Sequence, residues 1–207
     1  MVRALLGQDK FNYLGYSYGT FLGATYAGLF PTNVGHMVLD GAVDPAVQGD
    51  DLAAMQMRGF EASLRHWVED CQAGRNCPLT GDADAGMRKM KAFFDSLENS
   101  PLKTSDANRP LTRNLAMSAV IGLLYSTETY SILTQAMTSA LNSNDGSMLL
   151  FVADLLNERN KDGSYASNSM DAIVAINSLD YSPVGNADQW TKGYETLKSE
   201  LLVFGEE

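Results

Sequence analysis

Cysteine and histidine are scarce in this chain, with two of each among 207 residues. Two cysteines are too few to build a disulfide scaffold, and no second ligand pair stands beside them to make a zinc site. Two histidines leave little choice of general base. Basic residues are also few, 15 against 25 acidic ones, for a formal net charge of -10. That balance argues against nucleic acid and anionic membrane surfaces, where a basic footprint is expected. No apolar run reaches membrane-spanning length, and no repeat of fixed period is visible. No signal peptide is read at the start, because Met1-Val2-Arg3 leads straight into helix and strand. Neither a metal nor a cofactor is expected. The chain is 45% hydrophobic, enough for one or two small domains with real cores.

Against these absences stands one informative run, Gly15-Tyr16-Ser17-Tyr18-Gly19. Phe11 to Leu14 before it suits a buried strand, and Thr20 to Phe30 after it reads as a helix ended by Pro31. Strand, Gly-x-Ser-x-Gly, helix is the context of a nucleophile elbow. The chemistry needs a tight turn that lifts the Ser17 hydroxyl clear of the backbone. Gly15 and Gly19 leave room where a Cβ would strike the neighbouring strand and helix. The helix N-terminus and the Tyr18 amide are placed to stabilise an oxyanion. The bland alternative is a Gly-rich turn whose serine only caps the helix. Val34 to Gly41 reads as a second strand closed by Asp40-Gly41, and Val2 to Leu6 as a helix stopped by Gly7. The expected fold is therefore a short parallel βαβ elbow segment over residues 1–48, then a mainly α-helical cap or lid over 49–207.

The string from Gly15 to Pro45, with Trp67, Cys71, Cys77-Pro78-Leu79 and Ala175 to Tyr181 further on, resembles the secreted tripeptidyl-aminopeptidases among the α/β-hydrolases. These are similar to proline iminopeptidases and are common in actinobacteria. The resemblance is close over about the first fifty residues and looser beyond. It implies a serine peptidase with Ser17 as nucleophile and a helical cap inserted after the strand ending at Asp40. It also implies a secreted or envelope-associated parent protein, acting on peptides with free amino termini. Relatives often carry a cysteine near Ser178; this chain does not.

Such a hydrolase orders its triad as Ser, Asp, His and takes an oxyanion loop from an earlier turn. Only sixteen residues precede Ser17. His36 falls at the sheet end opposite the elbow, and His66 lies in a cap helix whose polar face it suits. Asp40 sits where functional groups collect in α/β sheets, yet a turn aspartate bonding nearby amides is the favoured reading. The chain is therefore expected to be a hydrolase fragment, elbow plus cap, whose acid and base are not within it. Loss of a triad acting as a unit typically costs on the order of a million-fold in turnover. The isolated chain should be inactive, and its incomplete sheet invites self-association.

Cys71 and Cys77 bracket a Gly-containing loop, which favours a structural disulfide over two buried free thiols. From about residue 50, amphipathic helical patterns replace strands, through Leu52 to Trp67, Met87 to Leu97 and five further stretches ending near Leu202. Glu61, Glu69, Asp70, Glu128 and Asp180 are available to pair with a substrate ammonium, and the sequence does not choose among them. Two competing functions remain open: a non-catalytic helical binding or structural domain, and an esterase-type α/β-hydrolase.

Overall fold

The computed structural model describes residues 2–47, 49–181 and 184–206. Met1, Gln48 and Glu207, which end the two expected segments, lie outside the described residues. The chain divides into two compact units, one up to Leu52 and one from Ala53.

The first unit opens with helix α1 (Val2–Leu5), which gives way at Gly7 with φ 64°. Strand β1 (Phe11–Tyr16) runs into helix α2 (Tyr18–Leu29). A 3-10 turn at Pro31–Asn33 leads to strand β2 (Val34–Asp40). The strands pair in parallel, Leu14 opposite Val38 and Tyr16 opposite Asp40, so α2 is the crossover of a βαβ unit. Successive strand residues face opposite ways. Tyr13, Gly15 and Leu39 face α2, and the absent Cβ of Gly23 lets α2 approach Leu39 and Tyr13. On the other face Leu14 is 56% exposed and Val38 58%. The sequence suggests strands buried on both sides; only one side is covered within this unit.

The second unit is helical. Its helices are α3 (Gly49–Ala73, beginning at the end of the first unit), α4 (Ala83–Asn99), α5 (Arg113–Leu124), α6 (Tyr130–Ser143), α7 (Ser147–Leu156), α8 (Ser169–Asp180) and α9 (Ala187–Glu200). Leu64, Trp67 and Val68 of α3 meet Met87, Met90 and Phe94 of α4 in the core, which continues through α5, α6 and α7. Side chains three and four apart line one face of each helix, as a packed bundle requires. Asp82 caps α4 through Ala85 N–H, and Thr112 caps α5 through Leu115 N–H. A disulfide joins Cys71, at the buried end of α3, to Cys77 in the following loop.

Two other ties close this unit. Glu61 accepts hydrogen bonds from the backbone N–H groups of Leu202, Val203 and Phe204 at 3.0–3.3 Å, which seats the buried Phe204 against the core. Arg109 donates to both carboxylate oxygens of Asp154 at 2.6 and 2.7 Å, tying the 102–111 hairpin to α7. By contrast, neither α8 nor α9 contributes a buried residue. Ile173, Val174 and Leu179 of α8 are all exposed. Apolar residues lie all round α8 instead of forming one stripe, so no single face is marked for this core.

The Arg109 hydrogen bonds, ahead of a contribution from Arg159, hold the Asp154 carboxyl below the ordinary carboxylate range, against partial burial. A depressed native pKa stabilises the fold fully above the ordinary carboxylate value. That stabilisation fades as pH falls through the lowered value. Asp154→Asn should cost about 2 kcal/mol at neutral pH, since it breaks a charge-assisted pair and leaves Arg109 uncompensated. Urea titrations at neutral and strongly acid pH check both points: the penalty should shrink in acid. An equal penalty at both pH values would show that the charge plays no part.

Candidate active site

Ser17 is the one residue between β1 and α2. Its backbone lies at φ 49° and ψ -118°, a region that L residues avoid. Such a conformation costs about 1–3 kcal/mol and persists only where neighbours enforce it. The neighbours are visible. Ser17 N–H donates to Asp40 C=O at 3.0 Å, which carries the sheet ladder into the turn. Ser17 C=O accepts from Thr20 N–H at 2.8 Å and from Thr20 Oγ1 at 2.6 Å. The Ser17 residue is exposed, and its side chain makes no capping hydrogen bond to α2. The hydroxyl is thus not spent on the helix, as the bland reading would have it.

The glycines of the motif have a shared cause. A Cβ on Gly15 would lie 2.5 Å from Gly19 O and 2.6 Å from the Tyr13 ring. A Cβ on Gly19 would lie 3.2 Å from the Tyr13 hydroxyl, and one on Gly23, beyond the motif, 2.8 Å from the same ring. Tyr13 therefore fills the space beneath the elbow, and its hydroxyl donates to Gly19 C=O at 2.8 Å. Sequence reasoning missed Tyr13 and Thr20. Their signal was weak: a tyrosine two positions before the motif glycine, and a threonine just after the motif.

The remaining candidates fall elsewhere. His36 lies within β2, where its N–H donates to Asn12 Oδ1 at 2.9 Å and its ring Nδ1 stands 3.2 Å from the same oxygen. Asn12 is near the start of β1, so His36 sits at the end of the sheet away from Ser17. In the helical unit, His66 Nδ1 is 3.3 Å from the Tyr130 hydroxyl. Burial, then Asp70, pushes the Tyr130 phenol up. Asp40 supplies the elbow with its backbone carbonyl, while the Asx turn falls at Asp44, whose carboxylate accepts from Ala46 N–H at 2.9 Å. Of the acids considered for a substrate ammonium, Glu61 is engaged with three backbone amides. Glu69 and Asp70 are exposed on α3, Glu128 is exposed in the 3-10 turn Thr127–Thr129, and Asp180 ends α8. Among the described residues, no group of three or more His, Cys, Asp or Glu is arranged to hold a metal, and no helix is long and apolar enough to cross a membrane.

A strand, a strained exposed serine and a helix, in a parallel βαβ unit, make a tight strand-to-helix turn of the kind the sequence motif leads one to expect. The chain belongs to the α/β-hydrolase family: the family model described as alpha/beta hydrolase fold matches residues 1–153. The serine protease Hip1 of Mycobacterium tuberculosis is 38% identical over 195 residues, which cover 91% of this chain and 37% of that protein. Carboxylesterase B of the same organism is 37% identical over 179 residues, 86% of this chain and 34% of that protein. Tripeptidyl aminopeptidase of Streptomyces lividans is 56% identical over 46 residues, 22% of this chain and 9% of that protein. The chain thus spans only a little over a third of the length of Hip1 and of carboxylesterase B.

Gly15→Ala should destabilise the first unit by about 1–3 kcal/mol, because the new methyl meets fixed backbone as well as the Tyr13 ring. Tyr13→Phe should cost about 1 kcal/mol through the lost bond to Gly19. Hydrogen exchange at the β1 and β2 amides reads both effects. Unchanged protection in Gly15→Ala would mean that the elbow is not packed as described.

Proposed function

We propose that this chain is the elbow and cap of an exported serine aminopeptidase that releases short peptides from free amino termini. The observation that carries the reading is Ser17 itself, strained, exposed and not used as a helix cap. In this reading Ser17 Oγ attacks the scissile carbonyl and the Tyr18 N–H stabilises the oxyanion, aided by the N-terminus of α2. The acid and base come from sequence outside these 207 residues. The helical segment, residues 49–207, acts as a cap that limits which chains reach the serine. Within it an open groove of about 430 Å³ is lined by the partly exposed Leu156, Tyr165 and Met170, by Asn157 and residues 167–169, and by Glu158 and Asp171. Three apolar side chains among polar ones, with two acidic residues, are compatible with a short peptide bearing a free ammonium. The Cys71–Cys77 bond favours an oxidising compartment, secreted or at the cell envelope. A second reading, an esterase, is favoured by the similarity to a protein named carboxylesterase B.

The isolated 207-residue chain should turn over neither tripeptidyl-p-nitroanilides nor p-nitrophenyl esters above buffer. It should also fail to react with a fluorophosphonate probe at Ser17, since no base activates the hydroxyl. In the complete enzyme the same probe should label Ser17, and Ser17→Ala should abolish both labelling and turnover. Amide against ester turnover there separates the two readings. Probe labelling of the isolated chain, lost in Ser17→Ala, would refute the claim that the base lies outside it.

The open sheet face and free strand edges of the first unit further imply self-association of the isolated chain. Light scattering should give a mass that rises with concentration. Leu14→Lys and Val38→Lys together should shift the chain toward monomer. A monomeric mass at every concentration, before any substitution, contradicts this.

A further inference from the structure

We propose that Thr20 is a positioning residue for the oxyanion site, fixing the direction of the Tyr18 N–H through the carbonyl of the same peptide. The proposal rests on the reading of Ser17 as nucleophile. The Ser17 C=O and the Tyr18 N–H belong to one planar peptide group, and no cis bond occurs among the described residues. In a trans peptide these two groups point in opposite directions, so whatever holds the oxygen also aims the N–H.

Thr20 holds that oxygen twice. Its N–H, at 2.8 Å, makes the ordinary contact of a first helical turn. Its Oγ1, at 2.6 Å, is an additional donor that the helix alone does not provide. A threonine hydroxyl has one proton and can also accept. Here Oγ1 accepts from the backbone N–H of Val43 at 2.8 Å, which leaves its proton for Ser17. Thr20 is 1% exposed, so water does not compete for these bonds.

The partners of this relay lie in one stretch of chain. Asp40 C=O takes the Ser17 N–H, and Val43 N–H reaches the Ser17 C=O through the Thr20 hydroxyl. Both ends of the nucleophile's backbone are therefore tied to residues 40–43, from the last residue of β2 onward. An oxyanion donor acts by being aimed before the charge develops. Loss of the hydroxyl leaves the Ser17–Tyr18 peptide free to tilt and leaves the Val43 N–H without its acceptor.

The test uses the complete enzyme, with p-nitrophenyl acetate as substrate and a peptidyl trifluoromethyl ketone as the probe of the tetrahedral adduct. Active sites are counted by fluorophosphonate titration. Thr20→Val should lower kcat per active site about 10- to 100-fold, less than outright loss of an oxyanion donor, with KM within about twofold. Affinity for the ketone should weaken by a similar factor. Thr20→Ser keeps the hydroxyl and should recover most of the loss. An unchanged kcat per active site in Thr20→Val, even with lower thermal stability, would reduce Thr20 to a packing role and overturn the proposal. If Thr20→Val does not fold, Thr20→Ala against Thr20→Ser makes the same comparison, and equal kcat values overturn it. Turnover that survives in Ser17→Ala overturns the nucleophile reading and this proposal with it. Turnover lost in Ser17→Ala but intact in Thr20→Val overturns this proposal alone.

Discussion

The backbone of Ser17 is the constraint on which the first unit depends. A serine at φ 49° and ψ -118° gives up about 1–3 kcal/mol relative to a relaxed turn. Three hydrogen bonds to its own peptide groups oppose that cost, at about 1 kcal/mol each. The strain is therefore of the same size as the interactions that hold it. This has a structural consequence. The turn is stable only when β2 ends beside it, because Asp40 and Val43 supply one end of the network. Strand pairing, crossover helix and serine geometry stand or fall together.

Much of this was legible in the sequence because the constraints are local. Glycine at two fixed positions about a serine, between a strand and a helix, leaves few backbone solutions. The parallel crossover followed from the order of apolar runs, and the helical unit from spacings such as Leu52, Met55, Phe60, Leu64 and Trp67. The parts that were not legible depend on long-range partners. That Tyr13 is the object the glycines avoid requires knowing which strand face meets α2. The role of Thr20 requires Val43, 23 residues away. Glu61, a reasonable partner for a substrate ammonium by type, is taken by the backbone of residues 202–204, some 140 residues on. Side-chain type told what each group can do, and only the fold told what it is already doing.

The two units differ in how they meet their burial requirement. The helical unit closes a core through α3 to α7 with Phe204 seated on it, and the Cys71–Cys77 bond and the Glu61 and Arg109 ties reinforce it. The first unit covers one face of its sheet with α2 and leaves Leu14, Tyr16 and Val38 exposed on the other. Parallel sheets are ordinarily covered on both faces. The apolar residues around α8 pose the same demand on a smaller scale, since none is buried in the core its own unit builds.

On the reading of Ser17 as nucleophile, the choice between peptide and ester substrates is not made at Ser17 itself. Similarity is nearly equal, 38% to a serine protease and 37% to a carboxylesterase. Both reactions pass through an oxyanion that a nucleophile elbow stabilises in the same way. They differ in the leaving group. An alkoxide or phenoxide can depart with little help, whereas an amine must be protonated as the C–N bond breaks, which makes the general acid decisive for peptides. They differ also in what lies beyond the reacting carbonyl. A free ammonium needs a carboxylate at a fixed distance from the serine, and an ester of a simple alcohol does not. With Ser17 as the proposed nucleophile, specificity would be a property of the groups brought to it from other parts of the complete enzyme. On the proposal made above, the Ser17–Thr20–Val43 network keeps one peptide N–H aimed at whatever carbonyl those groups deliver.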